Sequence, residues 1–173
     1  MRVIEVTGFY YPDSSGGTEV YVGALAKHLQ AQDIDCVVAA PSASEEPARY
    51  VHDEINVFRY PASHSWRRSE LRGVEPPRSL EKFENWLRQQ QADVYHQHSW
   101  TTGCGPWHLE TAHRLGLKTV VTVHVPGNVC MRGTMIYSTD AETRDHLAGL
   151  VHPRRGLETV YEPVASASTD DGR

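Results

Sequence analysis

The chain has 173 residues, of which 39% are apolar and 23% charged, and this predicts one soluble globular domain with a core of its own. The formal net charge of −5 argues against the basic surface by which proteins bind nucleic acid. Three widely spaced cysteines, Cys36, Cys104 and Cys130, predict reduced thiols and therefore a cytoplasmic location. Residues 1–11 lack the apolar segment of a signal peptide, and no apolar run approaches the ~20 residues of a membrane span.

The first half of the chain alternates apolar runs with polar, glycine-containing segments. Residues 3–7 predict a strand, and a helix is predicted after a glycine pair. The apolar face of that helix would contain Tyr21, Ala24, Leu25, His28 and Leu29. Residues 35–40 and 55–60, each followed by proline, predict two buried strands. Residues 61–78 are polar and rich in Arg and Pro, and they predict a loop.

The second half continues the alternation. Residues 79–91 predict a helix that begins after Ser79 as its N-cap. A strand is predicted over residues 92–98. The next helix has Pro106 at its first position and Gly116 just past its end, which is the usual placement of these two residues.

Residues 117–124 form the clearest strand pattern of the chain. Because strands alternate with helices, the sequence predicts an α/β fold with a doubly wound, Rossmann-like parallel sheet. We assign residues 1–137 to this domain. Residues 138–173 are expected to form an atypical tail, helical over 139–150 and disordered at its end.

Ligands of doubly wound sheets bind beyond the carboxyl ends of the strands. Four segments are expected there: the 8–17 loop, His98 with Ser99, the glycines of 103–105, and His124. The pair Gly16–Gly17 would let a ligand approach free N–H groups at a helix start, which favours phosphate. The alternative is a purely structural turn.

Several histidines invite a chemical interpretation. His96 and His98 lie on one face of a strand and could bind a metal together with His108 or His124. The alternative is that one packs under a helix while the other lines the cleft. Because no carboxylate or cysteine completes a familiar ligand spacing, we predict no metal site. His124 could bind sugar hydroxyls or move protons, or it could cap the following loop.

A local basic segment contains an aromatic residue. Its members are Trp66, Arg67, Arg68, Arg72 and Arg78. Such a segment could contact anionic lipid headgroups at the membrane surface or an acidic acceptor. A solvated loop is the alternative.

Three stretches, MRVIEVTGFYYPDSSGGTEVYVGALAKHL, DVYHQHSWTTG and GLKTVVTVHVPGNVCMRGT, together resemble the N-terminal domain of family 4 glycosyltransferases. The resemblance runs from Met1 to about Thr134, with the motifs in the family's order. It implies one half of a GT-B fold. In complete enzymes of this family, a second Rossmann-like domain lies across a cleft and binds most of a nucleotide-sugar donor.

The resemblance also implies roles for single residues. Gly16–Gly17 would offer N–H groups to the donor diphosphate, and His124 would be the catalytic residue that contacts the transferred sugar. His98 and Ser99 would lie on the acceptor side of the cleft. Glu19 belongs to a GGxE-like stretch and is assigned to substrate binding. The family further implies retention of configuration, and neither a metal nor a cofactor besides the nucleotide-sugar.

No stretch of the sequence resembles the family's second domain, whose hallmark is a pair of glutamates separated by seven residues. Glu46 and Glu54 have this spacing but lie in the wrong domain. We therefore expect a glycosyltransferase domain of carbohydrate biosynthesis that acts only when a donor domain, for example from a partner chain, completes it. Its acceptor would be a sugar or a lipid-linked molecule, the latter at the inner face of the membrane.

Three other functions compete with this one. The chain could be a non-catalytic module that binds a phosphosugar or a nucleotide, or it could be a truncated pseudo-enzyme. It could also be a small metal-dependent hydrolase that uses His96, His98 and His124.

Overall fold

The computed structural model describes residues 1–42, 44, 46–63, 65, 67–71, 74–101 and 103–125, which form one sheet and four helices. The strands are β1 (Arg2–Thr7), β2 (Asp35–Ser42), β3 (Ala48–His52), β4 (Ile55–Pro61), β5 (Val94–His98) and β6 (Lys118–Thr122), and the helices are α1 (Gly17–Gln30), α2 (Arg68–Leu71), α3 (Leu80–Gln89) and α4 (Pro106–Arg114). The domain boundary predicted at residue 137, the helix over 139–150 and the tail lie outside the described residues.

The strands are ordered β3-β4-β2-β1-β5-β6. All neighbours are parallel except β3 and β4, which are antiparallel. The predicted doubly wound parallel sheet is therefore confirmed, with one antiparallel strand added at its edge. In the register of the sheet, Glu5 pairs with His96, and His98 pairs with both Thr7 and Thr122. This register places several polar side chains in the middle and at the carboxyl end of the central strands.

Apolar side chains cover both faces of the sheet. On one face, Val22 and Ala26 of α1 pack against a cluster that includes Val3 and Val38. On the other face, α3 and α4 pack against a cluster around Ile4, whose larger members include Val6, Tyr60, Phe83, Leu87, Tyr95 and Leu109. Burial of each large apolar side chain contributes roughly 1.5–3 kcal/mol before the entropy of ordering the chain is counted. Within the described part of the chain, no helix combines the length and apolar character needed to cross a bilayer.

The predicted apolar face of α1 holds for Leu29, which packs against the core, but not for Ala24 and His28, which are exposed. The buried side chains are Glu19, Val22 and Ala26. These three follow a helical spacing of three and four residues. The first of these buried residues is charged. A search for apolar residues at helical spacing therefore selects a neighbouring face of the helix instead.

Three further local differences concern β3, α2 and Ser79. The edge strand β3 was not predicted, because its side chains are mostly exposed and lack an apolar pattern. The predicted loop over residues 61–78 contains the short helix α2. Ser79 does lie at the N-cap of α3, but its backbone is in the right-handed helical region and its side chain makes no capping hydrogen bond. The predicted ends of α4 are confirmed: Pro106 opens the helix, and Gly116 follows it with a φ of 87°.

Candidate functional site

The chain passes from β1 to β2 on one side of the central strand and later returns to β5 on the other side. In doubly wound sheets this reversal opens a crevice at the carboxyl ends of the strands, where ligands bind. The segments after β1 and after β5 meet closely here. A Cβ atom added at Gly8 would lie 2.1 Å from the Oγ1 atom of Thr101, so a side chain at position 8 cannot fit without movement.

A buried carboxylate organises the histidines beside this crevice. The Oε2 atom of Glu5 lies 2.8 Å from Nδ1 of His96 and 2.6 Å from Nε2 of His98. The other ring nitrogen of His98, Nδ1, lies 3.0 Å from Nε2 of His124. Glu5 and His98 are fully buried, whereas His124 is partly exposed. Glu5, His98 and His124 therefore form a hydrogen-bonded chain from the interior of the sheet to its carboxyl edge.

Ser99 ties the ends of β5 and β6 together. Its backbone N–H donates to the carbonyl of Thr122 at 2.8 Å, and its Oγ accepts a hydrogen bond from the backbone N–H of His124, also at 2.8 Å. Its φ of 60° places it in the left-handed region, which is uncommon for a residue other than glycine. The Oγ1 atom of Thr122 lies 2.8 Å from Nε2 of His96. The predicted convergence of His98, Ser99 and His124 is thus observed, while their contact with substrate stays a prediction.

The charges in this chain follow from burial and hydrogen bonding. Burial raises the pKa of Glu5, but hydrogen bonds from His96 and His98 outweigh that effect and hold the pKa below its ordinary value. Burial lowers the pKa of His98, in spite of the opposing influence of Glu5. Burial and the neighbouring His98 and His96 also lower the pKa of His124. An ionised Glu5 carboxylate therefore faces a neutral His98 at neutral pH.

Glu5, His96 and His98 also place three potential metal-ligating atoms within 4.8 Å of one another. Ligands of a tetrahedral zinc ion, each about 2.0–2.1 Å from the metal, lie about 3.3 Å apart. The distances of 2.6 and 2.8 Å found here are instead those of hydrogen bonds. The spacing of this cluster therefore fits shared protons better than a shared metal ion.

Glu19 shapes the glycine loop. One carboxylate oxygen accepts a hydrogen bond from the Ser14 hydroxyl and the other accepts one from the Gly16 N–H, both at 2.8 Å. The N–H of Gly16 is therefore already engaged, and a Cβ atom at this position would lie 2.8 Å from Glu19. Direct contact of Gly16 and Glu19 with a substrate stays a prediction, and the observed contacts give both a role in holding the start of α1.

Gly17 differs from its neighbour. It is the first residue of α1, and a Cβ atom placed there would meet no atom within 4 Å. There is therefore room for a side chain at position 17, and packing of the folded domain does not require glycine there. The first N–H groups of a helix have no partner within the helix, and its dipole is positive at this end. The space beside Gly17 is therefore open, while the Glu19 carboxylate already binds the neighbouring Gly16 N–H.

A buried arginine anchors the same loop from the other side. The guanidinium of Arg59 donates to the carbonyls of Tyr10 at 2.9 Å and Tyr11 at 3.0 Å, and it pairs with Asp13 at 3.0 Å. The hydroxyl of Tyr50 also donates to the Tyr11 carbonyl. These contacts fix the loop in the absence of regular secondary structure.

Tyr21 connects α1 to the histidines. Its ring packs edge-on against His98 and His124, with centroid distances of 5.8 and 5.0 Å. Because Tyr21 lies one turn after Gly17, the open helix start and His124 belong to the same region of the sheet edge. Such edge-to-face pairs contribute roughly 0.5–1.5 kcal/mol beyond simple burial.

The segment with glycines 103 and 105 has a structural role in the described part of the chain. A Cβ atom at Gly103 would lie 2.6 Å from Pro41. The carbonyl of Gly103 accepts a hydrogen bond from the Tyr60 hydroxyl at 2.7 Å. Cys104 is buried, which raises the pKa of its thiol to about 12. His108 accepts a hydrogen bond from the Gly105 N–H, and burial lowers its pKa to about 4. His108 therefore belongs to the core rather than to the histidine cluster.

The basic segment is only partly described, since Trp66 and Arg72 lie outside the described residues. Arg78 forms an ion pair with Glu70 at 3.3 Å and donates to the Ser65 carbonyl at 2.6 Å. Glu70 also accepts the Arg67 backbone N–H at 2.6 Å. Arg67 and Arg78 of the basic segment therefore hold the loop against Glu70.

Glu5 is the site residue that the sequence pattern did not select. It lies in the middle of a strand whose neighbours are all apolar or buried. A charged residue is almost never fully buried unless it is paired. A glutamate at the centre of an apolar strand was therefore the available signal for a buried, paired carboxylate. Its partners are two histidines on an adjacent strand.

The strand order and the connections define a Rossmann-like α/β domain whose histidine cluster lies at the carboxyl edge, where the strand order reverses. The family model described as a glycosyl transferase 4-like domain matches residues 16–166. The chain therefore belongs to the glycosyl transferase 4-like domain family, and the resemblance drawn from its sequence motifs is confirmed.

Among the solved structures that match the chain is the catalytic domain of starch synthase IV from Arabidopsis thaliana, bound to ADP and acarbose, with 13% identity and a TM-score of 0.45. The match covers 70% of this chain and 33% of that structure, so the chain spans about a third of the length of that structure. No curated protein matches the chain significantly in sequence.

Proposed function

We propose that the chain is the acceptor-side half of a glycosyltransferase, which transfers a sugar from a nucleotide-sugar when a donor domain completes the cleft. The observation that carries this proposal is the position of Gly17, an unobstructed helix start, beside the His98–His124 pair. Membership of the glycosyl transferase 4-like domain family supports it. The acceptor would be a sugar or a lipid-linked molecule.

Each part of this edge suits one part of a nucleotide-sugar. The start of α1 offers N–H groups and a positive dipole to a diphosphate. His124 contacts Tyr21, which lies one helical turn after Gly17, and could hydrogen-bond a hydroxyl of the transferred sugar. The second domain would supply the contacts to ribose and base. We therefore expect the isolated chain to bind nucleotide-sugar weakly, on the order of millimolar.

Holding the two reactants in attack geometry supplies a large part of the rate of a bimolecular transfer. With one wall of the cleft alone, that geometry is not maintained. We therefore expect no sugar transfer by the chain alone and transfer when a matching donor domain is added.

In the described part of the chain, the free cysteines Cys36 and Cys104 suit a reducing compartment, and we place the protein in the cytoplasm, at the inner membrane face if the acceptor is lipid-linked.

The test is a radiolabelled-sugar assay across common nucleotide-sugars and a panel of sugar and lipid acceptors, with and without a donor domain. Gly17→Val should weaken nucleoside diphosphate binding to the assembled protein, as calorimetry would show, because the new side chain blocks the helix start. Ala24→Val adds the same side chain at an exposed position of α1 and should bind normally. Donor-dependent product from the chain alone would overturn the half-enzyme proposal. Binding without product in every pairing would favour a non-catalytic module.

A further inference from the structure

A buried carboxylate restricts where protons can lie in the rings around it. An ionised carboxylate only accepts hydrogen bonds, so each ring nitrogen that contacts it must carry a proton. Oε2 of Glu5 is contacted by Nδ1 of His96 and by Nε2 of His98. Its second oxygen, Oε1, is buried and has no hydrogen-bond partner among the described residues. The two histidine N–H groups are therefore the donors that the described residues provide for this charge.

The proton on Nε2 of His98 determines the state of its other nitrogen. In a neutral imidazole one nitrogen donates and the other accepts. With Nε2 donating to Glu5, Nδ1 of His98 has a free lone pair. Nδ1 lies 3.0 Å from Nε2 of His124, and a hydrogen bond there requires that His124 donate.

We propose that Glu5 is a positioning residue that acts through His98 to fix the tautomer of His124, with the proton on Nε2 and a lone pair on Nδ1. In a neutral imidazole the nitrogen that carries no proton is a hydrogen-bond acceptor, so this tautomer of His124 can accept the hydroxyl proton of a ligand at Nδ1. Glu5 reaches the edge of the sheet in two hydrogen-bonded steps without touching a ligand.

His96 forms a separate branch from the same carboxylate. Its Nδ1 donates to Glu5, and in a neutral ring this leaves Nε2, which lies 2.8 Å from the Thr122 hydroxyl oxygen, as the acceptor. This branch has the opposite tautomer and does not contact His124. It therefore provides an internal control for the proposal.

The consequence for catalysis rests on the proposed function. If His124 contacts the transferred sugar, a fixed acceptor nitrogen would bind a sugar hydroxyl without first exchanging protons. A misplaced proton on Nδ1 would repel that hydroxyl proton instead. The tautomer itself is independent of any substrate, and it can be measured whether or not the chain takes part in sugar transfer.

The experiment is nitrogen–proton NMR correlation of the histidine rings in the full chain at neutral pH, with each signal assigned by single His→Gln substitutions. We expect the proton on Nε2 in His98 and His124 and on Nδ1 in His96. Glu5→Met removes the acceptor at similar side-chain length, and we expect His98 and His124 to become mixtures of tautomers. Glu5→Gln keeps an oxygen acceptor and should preserve both. Thr122→Val disturbs only the His96 branch and should leave His124 unchanged.

Circular dichroism and urea unfolding establish that each variant is folded. A wild-type His124 with its proton on Nδ1, or a doubly protonated His98, would overturn the proposal without bearing on sugar transfer. An unchanged His124 tautomer in folded Glu5→Met would overturn it as well. If Glu5→Met misfolds, the wild-type and Glu5→Gln spectra still decide the assignment. In an active assembled enzyme, Glu5→Met should lower kcat with little change in KM for the donor.

Discussion

His98 and His124 lie 26 positions apart in the chain, yet the Nδ1 atom of His98 approaches Nε2 of His124 to 3.0 Å at the carboxyl edge of neighbouring strands. Parallel pairing of β5 with β6 brings them together, and Ser99 holds the position by accepting the His124 N–H. His98 is buried and His124 is partly exposed, so the pair connects the interior of the domain to the surface at the carboxyl edge of the sheet.

His124→Ala should lower turnover of the assembled enzyme more than it weakens donor binding. Loss of one positioned hydrogen bond to charge that develops in the transition state typically costs on the order of 10²-fold or more in rate. Steady-state kinetics and donor calorimetry together measure the difference. His28→Ala, at an exposed histidine of α1, serves as the control and should keep full activity. Full turnover of His124→Ala would restrict this residue to a structural role.

Arg59→Met should destabilise the fold and loosen the glycine loop. The change removes the charged guanidinium donor from the Tyr10 and Tyr11 carbonyls, which keep their bonds from the Asp13 N–H and the Tyr50 hydroxyl. Hydrogen bonds that involve a charged group contribute about 1.5–3 kcal/mol each. We expect the free energy of unfolding in urea to fall by about 3 kcal/mol. Arg49→Met, at an exposed position of β3 where the guanidinium stacks on Phe58, should cost less than about 1 kcal/mol. Equal losses in the two variants would contradict the anchoring role of Arg59.

Gly8→Ala should destabilise the crossing of the two loops, because the added methyl group overlaps Thr101. Overpacking of this kind typically costs about 1–3 kcal/mol. Thr101→Gly removes the obstructing side chain, and the double variant should recover most of the loss in a double-mutant cycle. Gly17→Ala provides the contrast, since its methyl group enters open space and should leave stability nearly unchanged. Additive losses for positions 8 and 101 would show that the two residues do not conflict.

The stability of the domain should fall as the pH is lowered from about 6.5 toward 4, in part because of His108. Its folded-state pKa of about 4 lies below that of an unfolded histidine, so the unfolded chain binds a proton that the folded chain refuses. The stabilisation is present above the unfolded pKa and is lost as the pH falls. Each unit of pKa corresponds to about 1.4 kcal/mol, which gives a loss of about 3 kcal/mol across this range.

His108→Asn isolates this contribution, since asparagine can still accept from the Gly105 N–H but does not titrate. Urea unfolding at pH 7.5 and pH 4.5 should show a smaller pH effect in the variant than in the wild type. His98 and His124, whose pKa values are also lowered, should supply the remaining slope. The same slope in both proteins would contradict the burial of a neutral His108.

Local patterns in the sequence were sufficient for most of the sheet and for the ends of α4. The strands β1, β2 and β4 are short, mostly apolar runs with Gly or Pro at or near their ends. Pro106 and Gly116 mark the helix α4 by their backbone preferences alone. The face of α1 could not be found in this way, because Glu19 is buried by contacts with Ser14 and Gly16 that only the folded loop creates.

In the candidate site, too, some residues could be predicted from local sequence patterns and others could not. The sequence placed His98, Ser99 and His124 at one edge, since the ends of parallel strands meet there. Glu5, the buried partner of His98, was missed, because pairing across 93 positions depends on strand order and register. A carboxylate in mid-strand has no local signal for which histidine it will meet.

The left-handed backbone of Ser99 limits which residues evolution could place there. A φ of 60° favours glycine, asparagine and aspartate over most other residues. Glycine would satisfy the backbone but would provide no acceptor for the His124 N–H. Aspartate would add a charge beside buried histidines and alter their protonation. Position 99 should therefore tolerate a very narrow set of substitutions, and a deep mutational scan should find it less permissive than the apolar positions of the same sheet.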